Sequence, residues 1–305
     1  MSTLTAPTSR GPAAGDRRQP PTNRSRSGGQ WMRRIPLQLL VAAGALAMIY
    51  PVLWMASSSL KPDSEIFSGS ANLLPETFRW ENYAEGWNGL REPFETFYLN
   101  SFIISALAVA GNLLTCSMAA YAFARLRFRM RALWFAVMLG TIMLPYHATL
   151  IPQYTLFYEL GWVNSFLPLT VPKFLATDAF FIFLFVQFIR GIPKELDQAA
   201  QIDGAGPLRI YTTIIFPLLR PALVTGAIFT TIWTYNDFFS QLIYISDTAL
   251  YTVPLALRMF LDTTGESAWG PMLAMSTLSL LPLVVMFVLF QRQIVEGIST
   301  TGLKG

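Results

Sequence analysis

Apolar residues along this chain come in long, nearly unbroken runs, and polar residues gather between them. A helix that crosses a hydrocarbon core about 30 Å thick needs about 20 apolar residues, at a rise of about 1.5 Å each. Six runs meet that length, at residues 35–58, 98–123, 132–151, 166–189, 221–243 and 270–290. They predict an all-α membrane protein of six transmembrane helices. Lys173, Asp178 and Asp237 are the main ionisable residues inside the runs, and they belong near an interface or a wet cavity. Pro51, Pro145, Pro168, Pro172 and Pro282 fall within the runs or at their ends. Membranes tolerate such breaks where neighbouring helices or water satisfy the freed backbone groups.

Residues 1–34 have no apolar periodicity and are rich in Pro, Gly, Ser, Thr and Arg, which predicts a disordered tail. Arg33 and Arg34 precede the run at Ile35, in the manner of a secretory signal peptide. The run has span length, however, and Ser57 to Pro62 after it make no convincing small-x-small cleavage site. It reads as an uncleaved first helix, 35–58.

Composition agrees. The 305 residues are 53% hydrophobic and 13% charged, with mean hydropathy +0.42. An ordinary soluble domain carries about 25% charged residues, so a soluble fold is excluded, and so is disorder over most of the chain. A net charge of +4 and a pI near 9.3 raise the question of a nucleic-acid partner, which would need the basic residues on one folded face. They are distributed otherwise. The tail, 125–131, 190–220 and 291–305 hold 17 of the 22 basic residues and five of the 18 acids, a net of +12. The remainder carries −8. This is the positive-inside bias; it places both termini and the 190–220 loop in the cytoplasm and implies no nucleic acid.

Several chemistries lack their residues. One cysteine, Cys116, excludes an intrachain disulfide or a multi-cysteine cluster, and reads as packing. No Gly is followed by Lys, so the phosphate-cradling Gly-Lys-Ser/Thr turn is missing. His147 stands alone, and no His-Glu-x-x-His occurs. Asp178 and Asp237 are thin support for a proton- or sodium-coupled carrier, and the chain halves show no repeat.

The 190–220 loop carries a pattern of its own. Pro193 lies at a helix start, and Glu195 and Asp197 fall in a first turn, where the helix dipole favours anions. Leu196, Ala199, Ala200 and Ile202 form a small apolar face. Gly204 stops the helix and Pro207 starts a second one, which ends before Pro217. A short helix, a sharp bend and another helix suit insertion into a partner's groove.

This loop closely resembles the EAA motif of permease subunits of binding-protein-dependent ABC importers, in which Glu-Ala-Ala, three residues, Gly, nine residues and Ile-x-Leu-Pro follow one another. Here Gln198-Ala199-Ala200 precedes Asp203-Gly204-Ala205, and Ile214-Ile215-Phe216-Pro217 closes the motif. Gln198 stands where the motif has Glu, which removes a charge able to pair with a basic residue of the ATPase; Phe216 stands for Leu. The stretch from Gln291 to Gly305 is similar to the C-terminal tail of MalG-like subunits of carbohydrate importers. Further similarity lies in Trp233–Phe238 and in Met143-Leu144-Pro145 with Ile151-Pro152. The resemblance spans about 60–305.

The resemblance implies a type I ABC importer permease fold, in which a core of 98–290 follows an extracytoplasmic segment, 59–97, and ends in a cytoplasmic tail, 291–305. It implies a multi-pass protein of the bacterial cytoplasmic membrane that moves a sugar or oligosaccharide by alternating access. Its partners would be a MalF-like second permease, a cytoplasmic ATPase dimer and an extracytoplasmic solute-binding protein, besides membrane lipid. The chain would be no enzyme and would bind no cofactor or metal, with ATP and Mg held by the ATPase. Glu195, Gln198, Ala199, Ala200, Asp203, Gly204 and Pro217 would couple to that ATPase. Trp233, Tyr235, Asn236 and Asp237 offer stacking surfaces and hydrogen-bond groups for a neutral polar solute. Importers of non-sugar solutes, and an integral-membrane enzyme, are the alternatives.

Overall fold

The computed structural model describes residues 28–68, 72–261 and 267–302, and all regular structure among them is helical. The chain divides into two units, Met1–Pro51 and Val52–Gly305. Helix α1 (Gly28–Ser58) supplies the described part of the first unit. It begins seven residues before the predicted span, so 28–34 are helical where composition predicts a tail. Residues 1–27 lie outside the described residues.

In the second unit α2 (Asp63–Ile66) and α3 (Glu81–Asn88) occupy the predicted extracytoplasmic segment. Buried Asn82 fastens it by donating from Nδ2 to the carbonyls of Ser59 and Lys61, both at 2.9 Å. Next comes α4 (Phe94–Arg125), whose 32 residues reach about 48 Å at about 1.5 Å per residue.

The predicted third helix, 132–151, does not form as one element. It is α5 (Arg131–Thr141) and α6 (Tyr146–Glu159), parted at Pro145. Proline drives the residue before it out of the helical region and lacks the N–H to continue the ladder. A hydropathy window does not register such a break. The fourth run becomes α7 (Leu167–Thr170), a 3₁₀ turn (Val171–Leu175) and α8 (Ala179–Gly191). Together, as Leu167–Gly191, these keep the length and apolarity of a span.

The loop that follows holds α9 (Glu195–Ile202), α10 (Pro207–Ile210), a π turn (Tyr211–Ile215) and α11 (Phe216–Leu218). After it come α12 (Arg220–Tyr235), α13 (Phe239–Tyr244), a 3₁₀ turn (Thr248–Leu250), α14 (Val253–Met259) and α15 (Trp269–Gly302). Helix α15 runs through 291–302, which the sequence assigns to a tail; 303–305 lie outside the described residues. Among the described residues four helical segments are long and apolar enough to cross a membrane. Pro207–Leu218 and Arg220–Tyr235, bent by 75°, make a fifth if taken as one.

Helix α4 is central. Ser101, Ser105, Ala108, Gly111, Asn112, Cys116 and Ala120 are buried along it, and their small size lets neighbouring backbones approach, as membrane helix contacts require. The approach is close. A Cβ on Gly111 would lie 2.7 Å from the Phe174 ring, and one on Gly226 of α12 would lie 2.8 Å from the Phe185 ring. Asn112 Nδ2 donates to Thr230 Oγ1 at 3.0 Å, tying α4 to α12. Cys116 Sγ lies 3.1 Å from Asn112 Oδ1 in the same seam, as a packing role predicts.

Two apolar cores lie at opposite ends of α4. One gathers Cys116, Ala120 and Tyr121 with Phe181, Phe185 and Ile189 of α8 and Ile210, Ile215 and Leu219 of the loop. The other joins Phe94 and Phe97 to Tyr235, Val253, Phe260 and Met275. The first holds the loop and the second holds the segment around α3, α14 and α15.

Candidate functional site

Two regions bear the predicted site residues. The first is the loop. Helix α9 forms where its caps predict, with Glu195 and Asp197 in the first turn, and it ends as Gly204 takes φ +80. Ala205 N donates to Ala200 O at 2.9 Å and Gly204 N to Gln201 O at 3.0 Å. These bonds satisfy carbonyls that the helix end would otherwise leave bare. The second helix does not stop before Pro217. It passes through the π turn and takes Pro217 into the first turn of α11, where the missing N–H costs no bond. This second helical stretch ends at Leu219, where the chain bends by 75° into α12.

Glu195, Gln198, Ala199, Asp203, Gly204 and Pro217 are all exposed, and Ala200 is half-buried against the first core. Ile202 and Leu208 flank the Gly204 bend with 87% and 66% of their surfaces exposed.

Beneath the bend lies an ion pair that the sequence does not disclose. Arg125, the last residue of α4, places Nε 2.8 Å from Asp197 Oδ2 of α9, with side chains 5% and 11% exposed. Its Nη2 donates to Ile192 O at 2.6 Å. The α9 contact lies off the N–H direction, so Arg125 Nε has no hydrogen-bond partner, and Arg125 Nη1 and Asp197 Oδ1 are likewise buried without one. The pair fixes α9 to the central helix. Nearby, Tyr211 OH and Ser117 Oγ share a hydrogen bond at 2.7 Å, joining the π turn to α4.

The second region is a cavity of about 520 Å³ that begins beside Ile104 of α4 and is walled by α6, the turn at 171–175, α12 and α13. Of the four residues predicted for a solute path, Trp233 and Asp237 line it. Tyr235 and Asn236 do not. Tyr235 is buried in the second core and donates to Ser279 O at 3.3 Å, and Asn236 donates back to Ile232 O at 2.8 Å. Helical geometry separates Trp233 from Tyr235, two residues and about 200° apart on α12, whereas Asn236 and Asp237 follow the end of that helix.

Trp233 is fixed against Phe180, Phe181 and Phe229, with ring centroids 5.3, 5.4 and 5.8 Å away. Asp237 Oδ1 accepts from Ser240 N at 3.0 Å. Lys173 also lines the cavity, and its Nζ lies 3.2 Å from Asp178 Oδ2. The two charges found in the fourth run thus pair beside a cavity, as their cost in hydrocarbon demands. Gln153, Thr177, Thr234 and Gln241 add uncharged polar groups, and Tyr244 and Phe157 add rings. Gln153, Gln241 and Tyr244 come from α6 and α13 and carry no motif by which sequence alone would find them.

Residues 69–299 match the family model described as "Binding-protein-dependent transport system inner membrane component". The chain is 34% identical over 274 residues to the trehalose/maltose transport system permease protein MalG of Thermococcus litoralis, covering 90% of this chain and 98% of that one. It is 33% identical over 260 residues to YurM of Bacillus subtilis, named "Probable ABC transporter permease protein", covering 85% of each. A bacterial ABC transporter that imports the acidic polysaccharide alginate contains a chain of the same fold, with TM-score 0.75 at 22% identity over 87% of this chain and 98% of that one. The chain belongs to the binding-protein-dependent transport family. It is a multi-pass membrane transport component and not an enzyme, and it works with a solute-binding protein and an ATPase.

Proposed function

We propose that this chain is one of two permease subunits of an ATP-driven importer that carries a neutral sugar or oligosaccharide across the bacterial cytoplasmic membrane. The observation that carries the reading is the bend at Gly204, which holds Ile202 and Leu208 out of the fold and is bolted to α4 by Arg125 and Asp197. A cytoplasmic ATPase dimer holding ATP and Mg receives this bend, with Glu195, Gln198, Ala199, Ala200, Asp203, Gly204 and Pro217 at or behind the contact. A MalF-like permease completes the path, and an external binding protein delivers solute. Closure of the ATPase dimer moves α9, and α4 transmits the motion to the bundle, which alternates between inward- and outward-facing states.

The cavity supports a sugar as cargo. It offers uncharged hydrogen-bond groups and fixed rings beside the single carboxylate of Asp237, its lysine is paired, and Trp233 presents 47% of its surface. Polyhydroxylated solutes are held by such mixtures of stacking and hydrogen bonding. The trehalose/maltose relative points to the same class of cargo.

The test is reconstitution. The chain is purified with its co-purifying subunits and binding protein in liposomes, and uptake of labelled trehalose, maltotriose, spermidine and leucine is followed with ATP inside. ATP-dependent uptake of a sugar supports the reading. Uptake of only the amine or amino acid overturns the cargo, and solute turnover by the chain alone, without ATP, overturns the assignment.

A further inference from the structure

The replacement of the motif glutamate by Gln198 has a counterpart in three dimensions. Gln198 lines a cleft of about 660 Å³ between the end of α4, the 125–131 loop and α9. Its charged walls are Arg125, Arg127, Arg131 and Lys194 against the single carboxylate of Asp197. Asp197 is engaged with Arg125, which leaves Arg127, Arg131 and Lys194 without a countercharge in the cleft. Arg131 Nη1 donates to Leu126 O at 3.0 Å; that bond holds the guanidinium in place without neutralising it. Arg125 forms the floor, 5% exposed and with Nη1 unpartnered. Buried donors without partners are rare in folded proteins. A net charge of +3 in a concave site raises the local concentration of anions.

We infer that this cleft is a socket for an acidic side chain of the ATPase. The inference rests on the importer reading above, and it reverses the polarity of the contact that the Glu-Ala-Ala motif implies. Where the motif offers a carboxylate to the ATPase, this chain offers a neutral Gln198 at the rim of a basic socket and takes a carboxylate in return. A guanidinium pairs with a carboxylate in a two-bonded fork, and Arg127 and Arg131 supply two such groups. The occupant comes from the ATPase because α9, the helix that bears the docking bend, forms one wall of the cleft through Lys194, Gln198 and Gln201.

Lys194 makes the contact measurable, because a carbodiimide joins an amine to a carboxylate only where the two touch. The purified complex of this chain with its ATPase and second permease is treated with carbodiimide, and the linked peptides are sequenced by mass spectrometry. A bond from Lys194 to an Asp or Glu of the ATPase is expected. It is absent in Lys194→Arg, which keeps the charge. It falls by about tenfold in Gln198→Glu, which restores the motif residue and puts a competing charge at the rim, a change equivalent to about 1.4 kcal/mol. A linkage from Lys194 to Asp197 alone, or none at all while the ATPase stays bound, overturns the inference. So does retention of an anionic phospholipid by the complex that is lost in Arg127→Gln/Arg131→Gln, with no ATPase linkage. An ATPase that never co-purifies would instead overturn the importer reading itself.

Discussion

Gly204 sits at φ +80 with open space where a Cβ would go, so its constraint is the backbone and not the room. A side chain there costs about 1–2 kcal/mol of left-handed strain, a loss borne by the bend and not by the span packing. Gly204→Trp adds bulk at the exposed bend as well. The variant is expected to insert and to co-purify with the second permease, while solute uptake per ATP hydrolysed falls by about tenfold or more. Normal uptake in proteoliposomes would show that the bend is no lever. A paired comparison on α12 separates cavity from core. Trp233→Ala removes a ring that lines the cavity and should raise the KM for uptake several-fold, while its lost contacts with Phe180, Phe181 and Phe229 lower the Tm as well. Tyr235→Phe deletes the bond to Ser279 O and should cost about 1 kcal/mol of stability with uptake kinetics intact. Equal effects on KM would mean that the cavity is not the path.

Between elements, the buried pair Arg125–Asp197 is the sole described salt bridge joining the loop helix to α4. Removing one partner of a buried pair leaves the other charge stranded and costs about 3–5 kcal/mol, so Asp197→Ala should lower the Tm strongly. Arg125→Met with Asp197→Leu replaces both charges by apolar groups and should recover most of that loss. If the pair transmits motion, the double variant stays stable yet hydrolyses ATP with less uptake; full coupling in it would reduce the pair to a structural bolt. The sequence discloses α9, Gly204 and Pro207 because caps, glycine and proline act within a few residues. It does not disclose Arg125, which meets Asp197 across 72 positions through the register of two helices. The break at Pro145 is a local signal, yet a 20-residue hydropathy run masks it. Likewise the adjacency of Trp233 and Tyr235 in sequence conceals opposite destinations, one facing a cavity and the other a core.

At the scale of the whole molecule the predicted charge asymmetry becomes a statement about which end of α4 faces which compartment. Arg125, the basic cleft and the Gly204 bend stand at one end of a helix about 48 Å long. The acidic segment with α3 stands at the other, beside Phe94. Net charges of +12 and −8 on the two sets of segments predict that the bend faces the cytoplasm. The one natural cysteine is fully buried and gives no labelling background, so single cysteines can report the orientation directly. Asn88→Cys, at the end of α3, should react with a membrane-impermeant maleimide on intact cells. Gln201→Cys, on the exposed face of α9, should react only after the membrane is opened, and ATPase bound at the bend should slow that reaction. Labelling of Gln201→Cys from outside would leave the bend out of reach of any cytoplasmic ATPase, and the coupling assignment would fail with the topology. Labelling of both positions from inside would instead place an odd number of crossings in doubt between α3 and α9, the stretch where the predicted third helix is broken at Pro145.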